Sequence, residues 1–224
     1  MLRLIKKFLG LAPDLPAVEA VQFVSTPTET RIPPQIEPVR PPSMAPPPAE
    51  PPGRKIILDL ETTGVAKDDR IIEVAALELF EDGRIERAFH TLVNPEGKES
   101  NRFAQRKHQI TPEMLQGQPT FRDIVDALLE FIGDDEIIAH SADFEFRFLR
   151  QEFDRLARPP LPKSRFACSL ELAREVLPEQ ASHKLEHLAG YFDLDTTKVQ
   201  LHRALADCMV LAVVYDGLLK EQDR

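Results

Sequence analysis

The run Ile56-Ile57-Leu58-Asp59-Leu60-Glu61-Thr62-Thr63-Gly64 sets the terms for the fold. Its apolar, β-branched start has no polar face, the pattern of a strand covered on both sides inside a sheet. Asp59 and Glu61 then stand at i and i+2, and a strand points such residues to one face. Two carboxylates that close repel unless a cation lies between them. Oxygen ligands of this kind suit a hard divalent ion such as Mg²⁺ or Mn²⁺. Thr62, Thr63 and Gly64 add hydroxyls, backbone N–H groups and a permissive turn beside it. On these residues alone, a strand end with two solvated acids fits equally well.

The following segments supply the other layers. Residues 71–80 read as a second strand that alternates towards its end, Glu81-Asp82-Gly83 as a hairpin turn, and 85–93 as a third strand stopped by Asn94-Pro95. This is an antiparallel meander leading off the first strand. Residues 108–115 read as a loop entering a short helix, with Thr111 as N-cap and Pro112 in the first helical position. Residues 121–132 carry apolar side chains at helical spacing. A short buried strand is expected at 136–140, then a helix over about 143–156 with Phe144, Phe148, Leu149 and Phe153 inward. Helices at 170–177 and 184–191 follow, and 202–219 contains the last and longest one. The pattern predicts an α/β domain with a mixed central sheet flanked by helices, and contains no internal repeat.

Thirteen of the twenty prolines fall in residues 1–53. Such a stretch buries too little apolar surface to offset its ordering entropy, so 1–53 is expected to be a basic N-terminal segment and a disordered Pro-rich linker, and 54–224 the folded domain. Charge divides at the same place: residues 1–55 have a net of +2 and residues 56–224 a net of −11. An acidic domain grips long duplex poorly through phosphates alone. It can handle a nucleic-acid end if bound cations invert the local field. In residues 1–11, Leu2, Ile5, Phe8 and Leu9 gather near one side of a helix and Arg3, Lys6 and Lys7 near another, a basic amphipathic pattern suited to a membrane surface or a protein partner. That stretch is short for an independent helix and thin for a signal peptide. No run approaches the length of a membrane span. Cys168 and Cys208 lack metal-site spacing and read as buried thiols of a reducing, cytoplasmic compartment.

Two further groups carry chemistry: His140-Ser141-Ala142-Asp143-Phe144-Glu145 and His202-Arg203-Ala204-Leu205-Ala206-Asp207. Five helical residues turn about 140° past a full turn, so His202 and Asp207 converge only if the helix begins between them and His202 sits on the preceding loop. DLETTG, HSADFEFRFL and HRALAD, in this order, resemble the three motifs of the DEDDh 3′–5′ exonucleases, and within them the proofreading epsilon subunits of bacterial DNA polymerase III. HQITPEML, CSLELAR and HKLEHLAGYFDL resemble intermediate segments of that family, so the likeness spans residues 55 to about 219.

The resemblance implies a ribonuclease-H-like exonuclease fold and two-metal hydrolysis of a terminal phosphodiester, with Mg²⁺ or Mn²⁺ as the ions. It implies that Asp59, Glu61 and Asp207 are metal-binding carboxylates and that His202 is the general base. Thr62, Thr63 and Leu60 would lie against the terminal nucleotide. The expected substrate is single-stranded or frayed DNA at its 3′ end, and a DNA polymerase or other protein is the expected partner through the N-terminal tail. An RNA-trimming enzyme of the same superfamily is the rival reading, and a binding or scaffold module with an impaired centre a further one. One position departs from the family. Its second motif runs His-Asn-Ala-x-Phe-Asp, which puts Glu145, one methylene longer, at the Asp and Ser141 at the Asn. Asp143 competes for the role and reads better as an N-cap. Phe144 and Phe148 read as core, His140 as a hydrogen-bonded structural residue, and His108 as a residue that fixes its loop. His183 and His187, read as i, i+4 on a helix, lack a third zinc ligand. Cys208 reads as helix packing.

Overall fold

Three strands open the domain and end side by side in one sheet. In the computed structural model, which describes residues 53–224 except 198 and 200, β1 (Lys55–Thr62) pairs antiparallel with β2 (Ile71–Leu79), and β2 with β3 (Ile85–Leu92). The expectations for the linker and for residues 1–11 lie outside the described residues. On its other edge β1 pairs parallel with β4 (Glu136–Ala139), which pairs parallel with β5 (Phe166–Cys168). The order β3-β2-β1-β4-β5 is the mixed sheet the sequence predicts. β2 departs from the alternation expected of it: all nine residues are buried, because β1, β3 and helices on both faces enclose it.

The period-two rule divides β1 between two cores. Ile56, Leu58 and Leu60 face α3 (Phe121–Ile132) and α4 (Ala142–Arg155) through Phe121, Val125, Phe148 and Phe153. Ile57 faces the opposite side, against Ala204, Cys208, Leu211 and Tyr215 of α7 (Ala204–Gln222). Each large side chain buried this way contributes roughly 1.5–3 kcal/mol. Asp59 and Glu61 continue the Ile57 face, so the alternation that buries the strand delivers both acids to the α7 side.

The remaining α-helices are α1 (Arg102–His108), α2 (Pro112–Leu115), α5 (Ser169–Val176) and α6 (Leu185–Tyr191), and a short 3-10 turn spans Lys163–Arg165. Thr111 caps α2 as expected, accepting from the Met114 N–H. α1 and β5 have no counterpart in the periodicity. α1 is polar along most of its length and is started by Asn101, whose side chain accepts from the N–H groups of Phe103 and Ala104. The N-cap of α4 is Ser141, one residue ahead of the helix, and not Asp143. Asp143 lies in the first turn, where it pairs with Lys163 at 2.7 Å. His183 precedes α6, so it shares no helix face with His187; its Nε2 donates to the Leu177 carbonyl at 2.9 Å. Both cysteines are free, Cys208 fully buried and Cys168 only partly so.

Candidate active site

Where β1 runs out, α7 begins. Cys208 ties the two together, its Sγ donating to the carbonyls of Ala75 at 3.4 Å and Ile57 at 3.7 Å. Its neighbour Asp207 thereby overhangs the acids of β1. Carboxylate oxygens of Asp59, Glu61 and Asp207 all lie within 4.8 Å of one another. They line an open cleft of about 900 Å³.

Burial in the cleft wall and mutual repulsion hold these acids away from their ordinary charge states. Desolvation, then the charges of Asp207, Glu145 and Glu61, raises Asp59 well above the usual carboxylate range. Glu61 is pushed up to about 8 by burial, Asp207 and Glu73. Asp207 is pushed up to about 6, mainly by burial. Glu145 is buried on the cleft wall outside the trio, its Oε2 has no partner, and desolvation with the charge of Glu61 brings it to about 8. Clustered, desolvated carboxylates with an orphaned buried oxygen are a donor set that fits divalent cations.

His202 stands on the loop ahead of α7, as convergence with Asp207 requires. Its backbone is left-handed, φ 63°. Its N–H donates to both Asp207 oxygens, at 3.2 and 3.1 Å, and its Nδ1 lies 4.0 Å from Oδ2. Desolvation and the Lys107 charge lower its pKa, which keeps the ring neutral near pH 7.

The other expected residues divide. Thr62 lines the cleft, its hydroxyl donating to the Gly64 carbonyl at 2.7 Å. Leu60 borders it too, with its side chain in the α3–α4 core. Thr63 is a correction: it is fully buried, its hydroxyl donates to Asp69 at 2.8 Å and accepts from the Arg70 N–H, and the side chain pins its own loop instead of facing the cleft. Phe148 is core, whereas Phe144 is only partly buried and lines the cleft. His140 is structural, its Nε2 donating to the His183 carbonyl at 2.9 Å and its Nδ1 2.9 Å from Ser169 Oγ. His108 fixes its loop by accepting from the Ile110 N–H at Nδ1, 2.9 Å, and burial lowers its pKa to about 4.

Sequence reasoning missed three residues of this region. Phe103, 82% exposed, and Lys107, one turn further along α1, line the cleft. Glu73 in β2 is fully buried and holds the residues around His202. Acids inside an apolar strand were the available signal, though Glu78 in the same strand gives it as well and pairs with Arg54 and Arg87.

The raised acids predict how stability varies with pH. In the folded, metal-free protein Glu61 and Glu145 keep protons that an unfolded chain has released above its ordinary value of 4.5. Their contribution is fully present below about 4.5 and is lost as pH rises through about 8. Melting in EDTA is therefore expected at steadily lower temperature from pH 5 to 9. A divalent ion replaces those protons, so Mg²⁺ or Mn²⁺ at a hundredfold excess over Kd is expected to raise Tm by roughly 5–10 °C at pH 8 and by much less at pH 5. A metal-induced shift that is absent, or larger at pH 5, would contradict the charge assignment.

Residues 56–215 match the family model described as Exonuclease. This chain belongs to the exonuclease family. The exonuclease is 37% identical over 171 residues to the DNA polymerase III subunit epsilon of Rickettsia conorii, covering 74% of each chain. It is 33% identical over 172 residues to that of Escherichia coli K12, covering 72% of this chain and 70% of that one. Among solved structures it is similar to exonuclease X in complex with 5′ overhanging duplex DNA, with a TM-score of 0.62, 24% identity and coverage of 76% of this chain and 93% of that one. It is also similar to the nuclease domain of 3′hExo, a DEDDh family member, bound to rAMP, with a TM-score of 0.64, 17% identity and coverage of 75% and 92%. The structural likenesses establish the ribonuclease-H-like exonuclease fold. The chain is thus an enzyme of the exonuclease family, and the family uses divalent metal ions. Among the described residues, no helix is long and apolar enough to cross a membrane.

Proposed function

We propose that this exonuclease removes nucleoside monophosphates one at a time from single-stranded or frayed 3′ ends of DNA, and that the ions it uses are two Mg²⁺ or Mn²⁺. The observation that carries this reading is the Asp59–Glu61–Asp207 trio within 4.8 Å, with His202 beside it on one cleft. Those three carboxylates would hold the ions, with Glu145 as the fourth acid, directly or through water. Two ions held there would supply charge stabilisation for the attacking and leaving oxygens of an in-line displacement. His202, neutral near pH 7, takes the proton of the attacking water. Thr62 and Leu60 border the space for the terminal nucleotide.

Lys107, Arg174 and Lys184 line the cleft and give an otherwise acidic domain a cationic path for a phosphate backbone. Phe103 beside Lys107 combines an aromatic face with a cation, which suits unstacked bases of a single strand. DNA is favoured over RNA because the two relatives named above, 37% and 33% identical, are subunits of a DNA polymerase. The same likeness supports a polymerase as partner, and with the two free thiols it supports a cytoplasmic setting; the basic amphipathic pattern of residues 1–11 is the segment proposed for the contact.

The test is digestion of matched 5′-labelled single-stranded DNA and RNA with Mg²⁺ or Mn²⁺. The expected result is a ladder shortening from the 3′ end, faster on DNA. Faster shortening of RNA would transfer the proposal to RNA trimming. No digestion of either by folded, metal-loaded protein would overturn it.

A further inference from the structure

We infer that the ion pair between Arg203 and Glu73 sets the His202 imidazole beside the acid trio, which makes both of them positioning residues for hydrolysis. The inference rests on the reading of His202 as the base. His202 occupies a left-handed backbone conformation that an L residue keeps only where its surroundings over-determine it. Two clamps do so. On the near side, the His202 N–H is held by the Asp207 carboxylate. On the far side, the next two residues are held by Glu73. The Arg203 guanidinium forks onto its carboxylate, Nη2 at 2.8 Å from Oε1 and Nε at 3.1 Å from Oε2, and the Ala204 N–H donates to Oε2 at 3.0 Å.

Glu73 is well placed for this role. It lies directly across from Glu61 in the β1–β2 register, on a strand buried along its whole length. The sheet that carries two acids of the trio therefore also carries the anchor of the His202 loop. α7 has no side-chain cap of its own, since Arg203 occupies the N-cap position, and Glu73 accepts from the first helical N–H in its stead. His90 adds a contact to the carboxylate at 2.8 Å. Stability alone is a weak reason for such an arrangement, because well-packed apolar residues usually do as well as a buried ion pair. A forked guanidinium fixes orientation, which an apolar contact does not.

The test is a double-mutant cycle on single-stranded DNA with the full chain: wild type, Arg203→Ala, His202→Asn and the double variant. Misplacing a base without removing it is expected to lower kcat about 10–100-fold in Arg203→Ala, with KM within about threefold of wild type. In the His202→Asn background the same substitution is expected to cost less than about twofold, because no base remains to be misplaced. If His202→Asn leaves kcat unchanged, the reading of His202 fails and the inference with it. If His202→Asn is impaired but Arg203→Ala is not, or the two losses multiply in the double variant, the inference alone is overturned. Should Arg203→Ala not fold, Glu73→Gln takes its place in the cycle. It keeps an acceptor for the Ala204 N–H and removes the charge that orients Arg203.

Discussion

Asp59→Asn is expected to abolish hydrolysis and at the same time to raise the melting temperature of the metal-free protein. Both effects follow from one fact. Asp59 lines the cleft with Asp207, Glu61 and Glu145, and burial together with their charges drives its pKa well above the usual range. Without metal the folded state bears that repulsion, and an amide of the same shape removes it. Each kcal/mol relieved is worth about 2–4 °C in a domain of this size. With metal the sign reverses, because the amide oxygen carries no charge to hold a divalent ion. The Mg²⁺-induced stabilisation should shrink, and product formation on labelled single-stranded DNA should fall to background. The gain over wild type in EDTA should grow as pH rises above 5, since the unfolded chain gives up the Asp59 proton readily while burial and the neighbouring acids make the folded protein resist its loss. A variant that melts lower than wild type at pH 8 in EDTA, or that keeps its activity, would remove Asp59 from the metal-binding role.

The same electrostatics explain why parts of the site were legible in the sequence. Asp59 and Glu61 break an apolar strand at one face, and strand periodicity alone puts them side by side. The position of His202 outside α7 followed from helical geometry, because no helix brings residues five apart together. Glu145 stood out because its length departs from the family motif, and in the fold it sits on the cleft wall beyond the 4.8 Å trio. Other features depend on tertiary contacts that local patterns do not encode. Glu73 reads as one of two acids in an apolar strand until Arg203, 130 positions later, is anchored by it. α1 escaped because its helix rests on the Asn101 cap and polar residues, with Phe103 pointing into the cleft and not into a core. Thr63 was misread for a related reason. A Thr-Thr-Gly turn offers two hydroxyls, and only the packing of Asp69 beneath it decides that Thr63 faces inward.

His202→Asn is expected to lower kcat by about 10²–10⁴-fold, the usual contribution of a positioned base, with little change in KM or Tm. Asn is the informative replacement. The residue has φ 63°, and Asn tolerates that region better than Ala, so the backbone held by Asp207 and Glu73 can survive the change. An activity loss in a protein that melts normally therefore reports the missing imidazole and not a collapsed loop. The pH profile gives an independent reading. Burial and Lys107 lower the His202 pKa below its ordinary 6.5, so the ring is neutral and able to accept a proton throughout the neutral range. Wild-type kcat should fall only on acidification, as the imidazole becomes protonated. That part of the acidic limb should be missing in His202→Asn, whereas the part due to protonation of the carboxylates should remain in both. An unchanged kcat in a folded variant, or an acidic limb identical to wild type, would assign the proton transfer to another group.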